Sequence, residues 1–173
     1  LISRGKKFYS ETDTEVVANL IEFYYDMGSD FKEAVQKAVE RVKGSYALGV
    51  LCRDYPDTII GVKKDSPLIF GYGKGCNYIA SDVPAILKYT RDVVYLNDGD
   101  LLVMDRNSVH FYDVHGEHIQ KQTEHITWEM SAAEKGGYPH FMLKEIYEQP
   151  KAVRDTIHPR IRNGQVQLDD IHL

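Results

Sequence analysis

A change of hydrophobic period at Gly44 divides the sequence into two kinds of structure. Before it, apolar side chains recur every three or four residues: Val16, Val17, Leu20, Ile21 and Tyr24, then Phe31, Ala34, Val35, Ala38, Val39 and Val42. That spacing puts each set on one face of a helix. Thr12 followed by Glu15 has the spacing of a capping box, which places the first helix start within a residue or two. Gly28 ends that helix, Ser29 or Asp30 caps the second, and Gly44 stops it. The expectation is a helical hairpin.

After Gly44 the apolar runs are short and punctuated by turn residues. Ser45 to Arg53 reads as a buried strand, Tyr55-Pro56-Asp57 as a turn, and Thr58 to Lys63 as the returning strand. Leu68 to Tyr72, Asn77 to Ala80, Val93 to Leu96, Leu101 to Met104, Val109 to Val114 and Ile119 to Gln122 continue the series. Asn97-Asp98-Gly99 and His115-Gly116 mark hairpins, and Ser81-Asp82 caps a short helix through Pro84 and Ile86. Roughly eight strands joined by turns too short for parallel crossovers make a mainly antiparallel sheet. From Thr127 the pattern loosens. Lys135-Gly136-Gly137 resembles a hinge, Phe141 to Gln149 is helical, Pro150 opens a second helical piece to Ile157, and Asn163-Gly164 is a turn. This tail has little apolar surface of its own and needs a partner to pack against.

Composition narrows the function. The 173 residues carry 21 basic and 26 acidic side chains, a net charge of −5, which disfavours nucleic-acid binding because counterion release needs clustered Lys and Arg. Two cysteines cannot form a disulfide scaffold at this length, and the longest apolar runs are about half a membrane span. A soluble, cytoplasmic, mixed α/β protein is expected. Cys52 and Cys76 have no His or Asp at a revealing spacing and read as structural. His115, His118 and His125, with Asp113 and Glu117, read as a solvated turn in preference to a metal site, so no metal is expected. Gly71-Tyr72-Gly73-Lys74-Gly75 departs from both the dinucleotide and the P-loop patterns and reads as a strand-to-strand turn. Asp13 stands at a helix start, where the dipole favours a carboxylate. It suits the ammonium of a small amino-acid ligand, although capping of orphan amides accounts for the same residue more simply.

Several motifs, in order along nearly the whole chain, resemble the glutaminase domain of the glutamine–fructose-6-phosphate aminotransferases. They are Ser10-Glu11-Thr12-Asp13-Thr14-Glu15, Gly44-Ser45-Tyr46-Ala47, Ser66-Pro67-Leu68, Ile79-Ala80-Ser81-Asp82, Asp98-Gly99-Asp100 and Lys144-Glu145-Ile146-Tyr147-Glu148-Gln149-Pro150. The last resembles the junction leading into the family's sugar-phosphate isomerase half. The resemblance implies an α+β fold, an N-terminal-nucleophile hydrolase-like αββα sandwich of mainly antiparallel sheets, here incomplete because its N-terminal strands are missing. Residues 1–126 are expected to be a partial glutaminase domain, and 127–173 its end with the linker and the start of the isomerase domain.

The resemblance further implies hydrolysis of glutamine to glutamate, with ammonia passed to fructose-6-phosphate through the absent isomerase domain, no cofactor, and a homo-oligomer. It assigns Asp13 to the glutamine α-ammonium, with Thr12 and Thr14 as neighbours. No catalytic residue carries over, because the family's nucleophile is an N-terminal Cys whose α-amino group is its base. Residue 1 here is Leu, and an inactive fragment is expected. Loss of early strands is expected to leave an apolar face and open strand edges, covered by self-association. The alternatives are a non-catalytic amidotransferase-like binding or regulatory module and another class II amidotransferase. The KEIYEQP ending argues against the latter.

Overall fold

Helix α1 runs Asp13–Asp26 and α2 runs Phe31–Val39, the expected hairpin. Thr12 is the N-cap of α1 in an extended conformation, but its hydroxyl accepts no helix amide, so the capping box is not formed. At α2 the Asp30 carboxylate accepts the Glu33 N–H at 2.8 Å. Gly28, with φ +96°, permits the sharp reversal between the helices. Helix α2 ends at Val39, earlier than the expected stop at Gly44, so Val42 lies past the helix. The computed structural model describes residues 1–127, 135–162 and 165–166.

Nine strands follow the hairpin within the first of two compact units, Leu1–Thr127. They are β1 (Tyr46–Cys52), β2 (Tyr55–Lys64), β3 (Ile69–Tyr72), β4 (Asn77–Ala80), β5 (Asp92–Tyr95), β6 (Leu101–Met104), β7 (Val109–Tyr112), β8 (His118–Ile119) and β9 (Glu124–His125). Helix α3 (Val83–Ile86) is capped by the Asp82 carboxylate, which accepts the Ala85 N–H at 3.3 Å. One sheet has the order β1-β2-β6-β7-β8, the other β4-β3-β5-β9, and every strand pair is antiparallel.

Two details of this region differ from the sequence reading. Tyr55-Pro56-Asp57 belongs to β2, and Arg53-Asp54 make the turn. The β1–β2 ladder pairs Leu51 with Ile59 but Cys52 with Tyr55, so Pro56 and Asp57 sit in a bulge where a missing N–H costs no ladder bond. Strand β1 is not buried either, for Ala47, Gly49 and Leu51 are exposed.

The buried apolar residues fall into three clusters that separate four layers. Leu20, Ile21, Phe31, Ala34, Val35 and Ala38 of the helical hairpin pack with Ile60, Val62 and Leu101 of the first sheet. Leu102, Met104 and Phe111 from that sheet's other face meet Phe70 and Val94 of the second sheet. Ile69 and Val93, on the outer face of the second sheet, pack with Val83, Ile86 and Leu87 of the α3 region. The arrangement is an αββα sandwich, as the resemblance implies.

The second unit, Trp128–Leu173, contains one long helix, α4 (Phe141–Ile157), and a small pair of strands, β10 (Ile161–Arg162) and β11 (Gln165–Val166). Pro150 lies inside α4, so the two expected helical pieces are one. The expected turn at Asn163-Gly164 falls outside the described residues. Among the described residues, this unit buries no apolar side chain.

Candidate functional site

Asp13 opens α1 on an exposed surface. Its Oδ1 accepts the Thr14 hydroxyl at 3.5 Å, a long contact that leaves most of the carboxylate's acceptor capacity for a ligand. The segment before it is firmly held. Glu15, in the first turn of the helix, reaches backward and accepts the Tyr9 N–H at 2.7 Å, the Ser10 N–H at 2.7 Å and the Ser10 hydroxyl at 2.5 Å. The Ser10 hydroxyl, then the backbone amides, hold the Glu15 carboxyl below the usual carboxylate range. Ser10 Oγ also lies 2.8 Å from Thr12 Oγ1. Thr12, Asp13 and Thr14 therefore lie together on a loop-to-helix corner braced by Glu15.

The brace was not legible in the sequence. Thr12 and Glu15 have capping-box spacing, but the carboxylate bonds residues five and six positions earlier. Farther upstream, Lys6 Nζ donates to Glu22 at 2.7 Å and Asp26 at 2.9 Å, pinning the N-terminal segment along α1.

Residues of two motifs separated in sequence, Tyr46 and Asp98-Gly99, meet at a second region. A cleft of about 300 Å³ is lined by Tyr46, Lys64, Asp98, Gly99 and the apolar side chains of Val62 and Leu101, among others. Lys63 donates to the Asp98 carboxylate, which also accepts the Asp65 N–H at 2.9 Å. The Lys63 contact leads in holding the Asp98 carboxyl below the usual range. Burial, reinforced by Asp98 and Asp65, pushes the Tyr46 phenol up. Asp65 has φ +59°, a left-handed conformation at the turn into Ser66-Pro67-Leu68. Beside it, buried Asp100 accepts Lys121 Nζ at 2.5 Å and the Asn97 N–H at 2.8 Å. Tyr46, Lys63, Asp65 and Asp98 thus form one structural rim that joins the second and the fifth of the family-like motifs.

The remaining candidates make the following contacts. Cys52 packs against the helix-facing cluster, and Cys76 Sγ lies 3.0 Å from the Tyr78 hydroxyl. Among the described residues, neither thiol has a His or carboxylate hydrogen-bond partner that would activate it. Gly71 and Tyr72 belong to β3, and Gly73 to Cys76 connect it to β4; a Cβ on Gly73 would come within 2.3 Å of the Cys76 carbonyl oxygen. His118 packs on His110 and Tyr112, His125 Nδ1 lies 2.7 Å from Asp92, and Asp113 accepts turn amides of His115 and Glu117. Among the described residues no three such side chains gather as metal ligands.

No family model matches the chain. Across its whole length it is 54% identical to a glutamine–fructose-6-phosphate aminotransferase (isomerizing) of Caldanaerobacter subterraneus and 53% identical to one of Clostridium acetobutylicum. Over 99% of its length it is 43% identical to another of Thermotoga maritima. The chain spans 28% of the length of each. Its fold is similar to that of glutamine phosphoribosylpyrophosphate amidotransferase from Bacillus subtilis, solved in complex with ADP and GMP. The TM-score is 0.53 at 22% identity, covering 65% of this chain and 25% of that one. The sandwich is thus of the amidotransferase type.

Proposed function

We propose, for a chain that belongs to the glutamine–fructose-6-phosphate aminotransferase family, that these residues form the part of its glutamine-hydrolysing domain that grips the amino-acid end of glutamine. The observation that carries the reading is identity of 54% along the entire chain, joined to an amidotransferase-type fold. In the family-length protein, ammonia released from glutamine goes to fructose-6-phosphate in a further, sugar-isomerising part, to which residues 127–173 lead. The protein acts in the cytoplasm as a homo-oligomer. Among the described residues, no helix is long and apolar enough to cross a membrane.

Asp13 takes the α-ammonium of glutamine in a charge-assisted hydrogen bond, and the Thr12 and Thr14 hydroxyls flank it. Its contribution is to hold the substrate, because a carboxylate on the α-ammonium lies away from the amide that reacts. Glu15 keeps the corner in place before glutamine arrives, so binding does not have to order it. The nucleophile lies outside the described residues, among which neither Cys52 nor Cys76 has a base hydrogen-bonded to it.

Calorimetry with L-glutamate tests the assignment of Asp13. The chain is spliced into the Caldanaerobacter relative in place of its matching segment, and Asp13→Ala is compared with the unsubstituted splice. Loss of a charged hydrogen bond predicts about 10- to 100-fold weaker binding. Unchanged affinity would remove Asp13 from the site.

A further inference from the structure

We infer that Glu15 and Ser10 are positioning residues that fix the Thr12 hydroxyl as a hydrogen-bond acceptor. Thr12 and Asp13 together then admit a donor-only α-ammonium and turn away a ligand that carries an acceptor on the same carbon. The inference deepens the proposed function and rests on its assignment of Asp13 to the ammonium.

The direction of the hydrogen bonds through Glu15, Ser10 and Thr12 follows from the number of protons they hold. Glu15 Oε1 accepts the Tyr9 N–H and Oε2 the Ser10 N–H, both at 2.7 Å. The Ser10 hydroxyl, ahead of these amides, holds the carboxyl below its usual range, so at neutral pH Glu15 is ionised and only accepts. Ser10 Oγ lies 2.5 Å from Oε2, the separation of a hydroxyl bonded to a carboxylate. Its single proton is therefore spent on Glu15. Ser10 Oγ also lies 2.8 Å from Thr12 Oγ1, and the proton of that second bond has to come from Thr12. The Thr12 proton thus points back to Ser10, and the oxygen keeps its lone pairs.

Those lone pairs are not spent on the helix. A threonine at the N-cap commonly accepts an amide of the first turn, yet among the described residues no helix amide donates to Thr12. The Thr14 hydroxyl points its proton to Asp13 Oδ1 at 3.5 Å. All three hydroxyls of the corner, on Ser10, Thr12 and Thr14, thus donate to neighbours within it. What the side chains of Thr12 and Asp13 offer a ligand is acceptors alone. An ammonium, which only donates, satisfies both. A keto oxygen on the same carbon sets lone pairs against lone pairs, and a site built for a donor discriminates strongly against it.

Competitive inhibition of glutamine hydrolysis tests the inference in the splice into the Caldanaerobacter relative, with L-glutamate and 2-oxoglutarate as probes. The two differ at the α-carbon, which bears an ammonium in one and a keto oxygen in the other. Ser10→Ala frees the Thr12 hydroxyl to turn and donate. It is expected to raise the inhibition constant of L-glutamate about three-fold and to lower that of 2-oxoglutarate by a similar factor. Thr12→Val, which has no hydroxyl to turn, is expected to weaken L-glutamate about ten-fold, with a smaller gain for 2-oxoglutarate than Ser10→Ala shows. Thr12→Ser is expected to keep the parent values. A corner that is merely loosened weakens both probes alike. That outcome in Ser10→Ala, or parent-like constants in Thr12→Val, would overturn the inference alone if Asp13→Ala still weakens L-glutamate. Parent-like L-glutamate binding in Asp13→Ala would overturn the Asp13 assignment and this inference with it.

Discussion

Glu15 spends its two carboxylate oxygens on three donors of the segment before it, and this sets how the corner at the start of α1 responds to pH. Its folded pKa is lowered by the Ser10 hydroxyl and the Tyr9 and Ser10 amides. The stabilisation is therefore present above the unfolded carboxylate value of about 4.3 and is lost as pH falls through the lower folded value. Acidification through that window is expected to raise amide exchange at Tyr9 and Ser10, and Glu15→Gln is expected to abolish the pH step while leaving fast exchange throughout. Thr12–Glu15 spacing located the helix start, but the carboxylate's partners were illegible because Tyr9 and Ser10 belong to no periodic element. Phe70 shows the opposite case. It is fully buried, with ring contacts to Tyr72 at 4.7 Å and Phe111 at 5.8 Å. Phe70→Ala should cost about 3–5 kcal/mol in denaturant unfolding.

Helices α1 and α2 were readable because one apolar face meets one sheet, which writes a 3.6-residue period into the sequence. The strands were readable from their short runs and turns, but prolines misled. Pro56 is absorbed by a bulge in β2, and Pro150 by α4, where it deprives the Ile146 carbonyl of its helical partner. Pro150→Ala should stabilise α4 by up to about 3 kcal/mol, seen as added helicity and slower exchange between Phe141 and Ile157. The turn into β6 depends on a buried ion pair. Asp100→Ala strands Lys121 in a site where both side chains are about one-tenth exposed, and should cost about 3–5 kcal/mol. Replacing both partners with apolar residues of similar size should restore most of that loss, measured by urea unfolding.

At the scale of the molecule, antiparallel strands were legible from the residues, whereas their division into two sheets came only from the resemblance and strand order from neither. Pairings β2–β6 and β3–β5 join strands that are not neighbours in sequence, and no local pattern records them. Nor does local pattern reveal that Lys63, Asp65 and Asp98 form one rim. For Asp13 the reading as a ligand residue came from the family motifs, since from the residue alone capping is the simpler reading. Under the proposed function these residues hold substrate and do not supply the nucleophile; they span 28% of the length of the Caldanaerobacter relative. Ammonia release from glutamine tests this division most directly, with the isolated 173 residues compared with the splice into the Caldanaerobacter relative and its Asp13→Asn form. The isolated chain should release only background ammonia, the splice should hydrolyse glutamine, and Asp13→Asn should raise KM about 10- to 100-fold with a smaller change in kcat. Hydrolysis by the isolated chain at the rate of the splice, or a splice indifferent to Asp13→Asn, would contradict it.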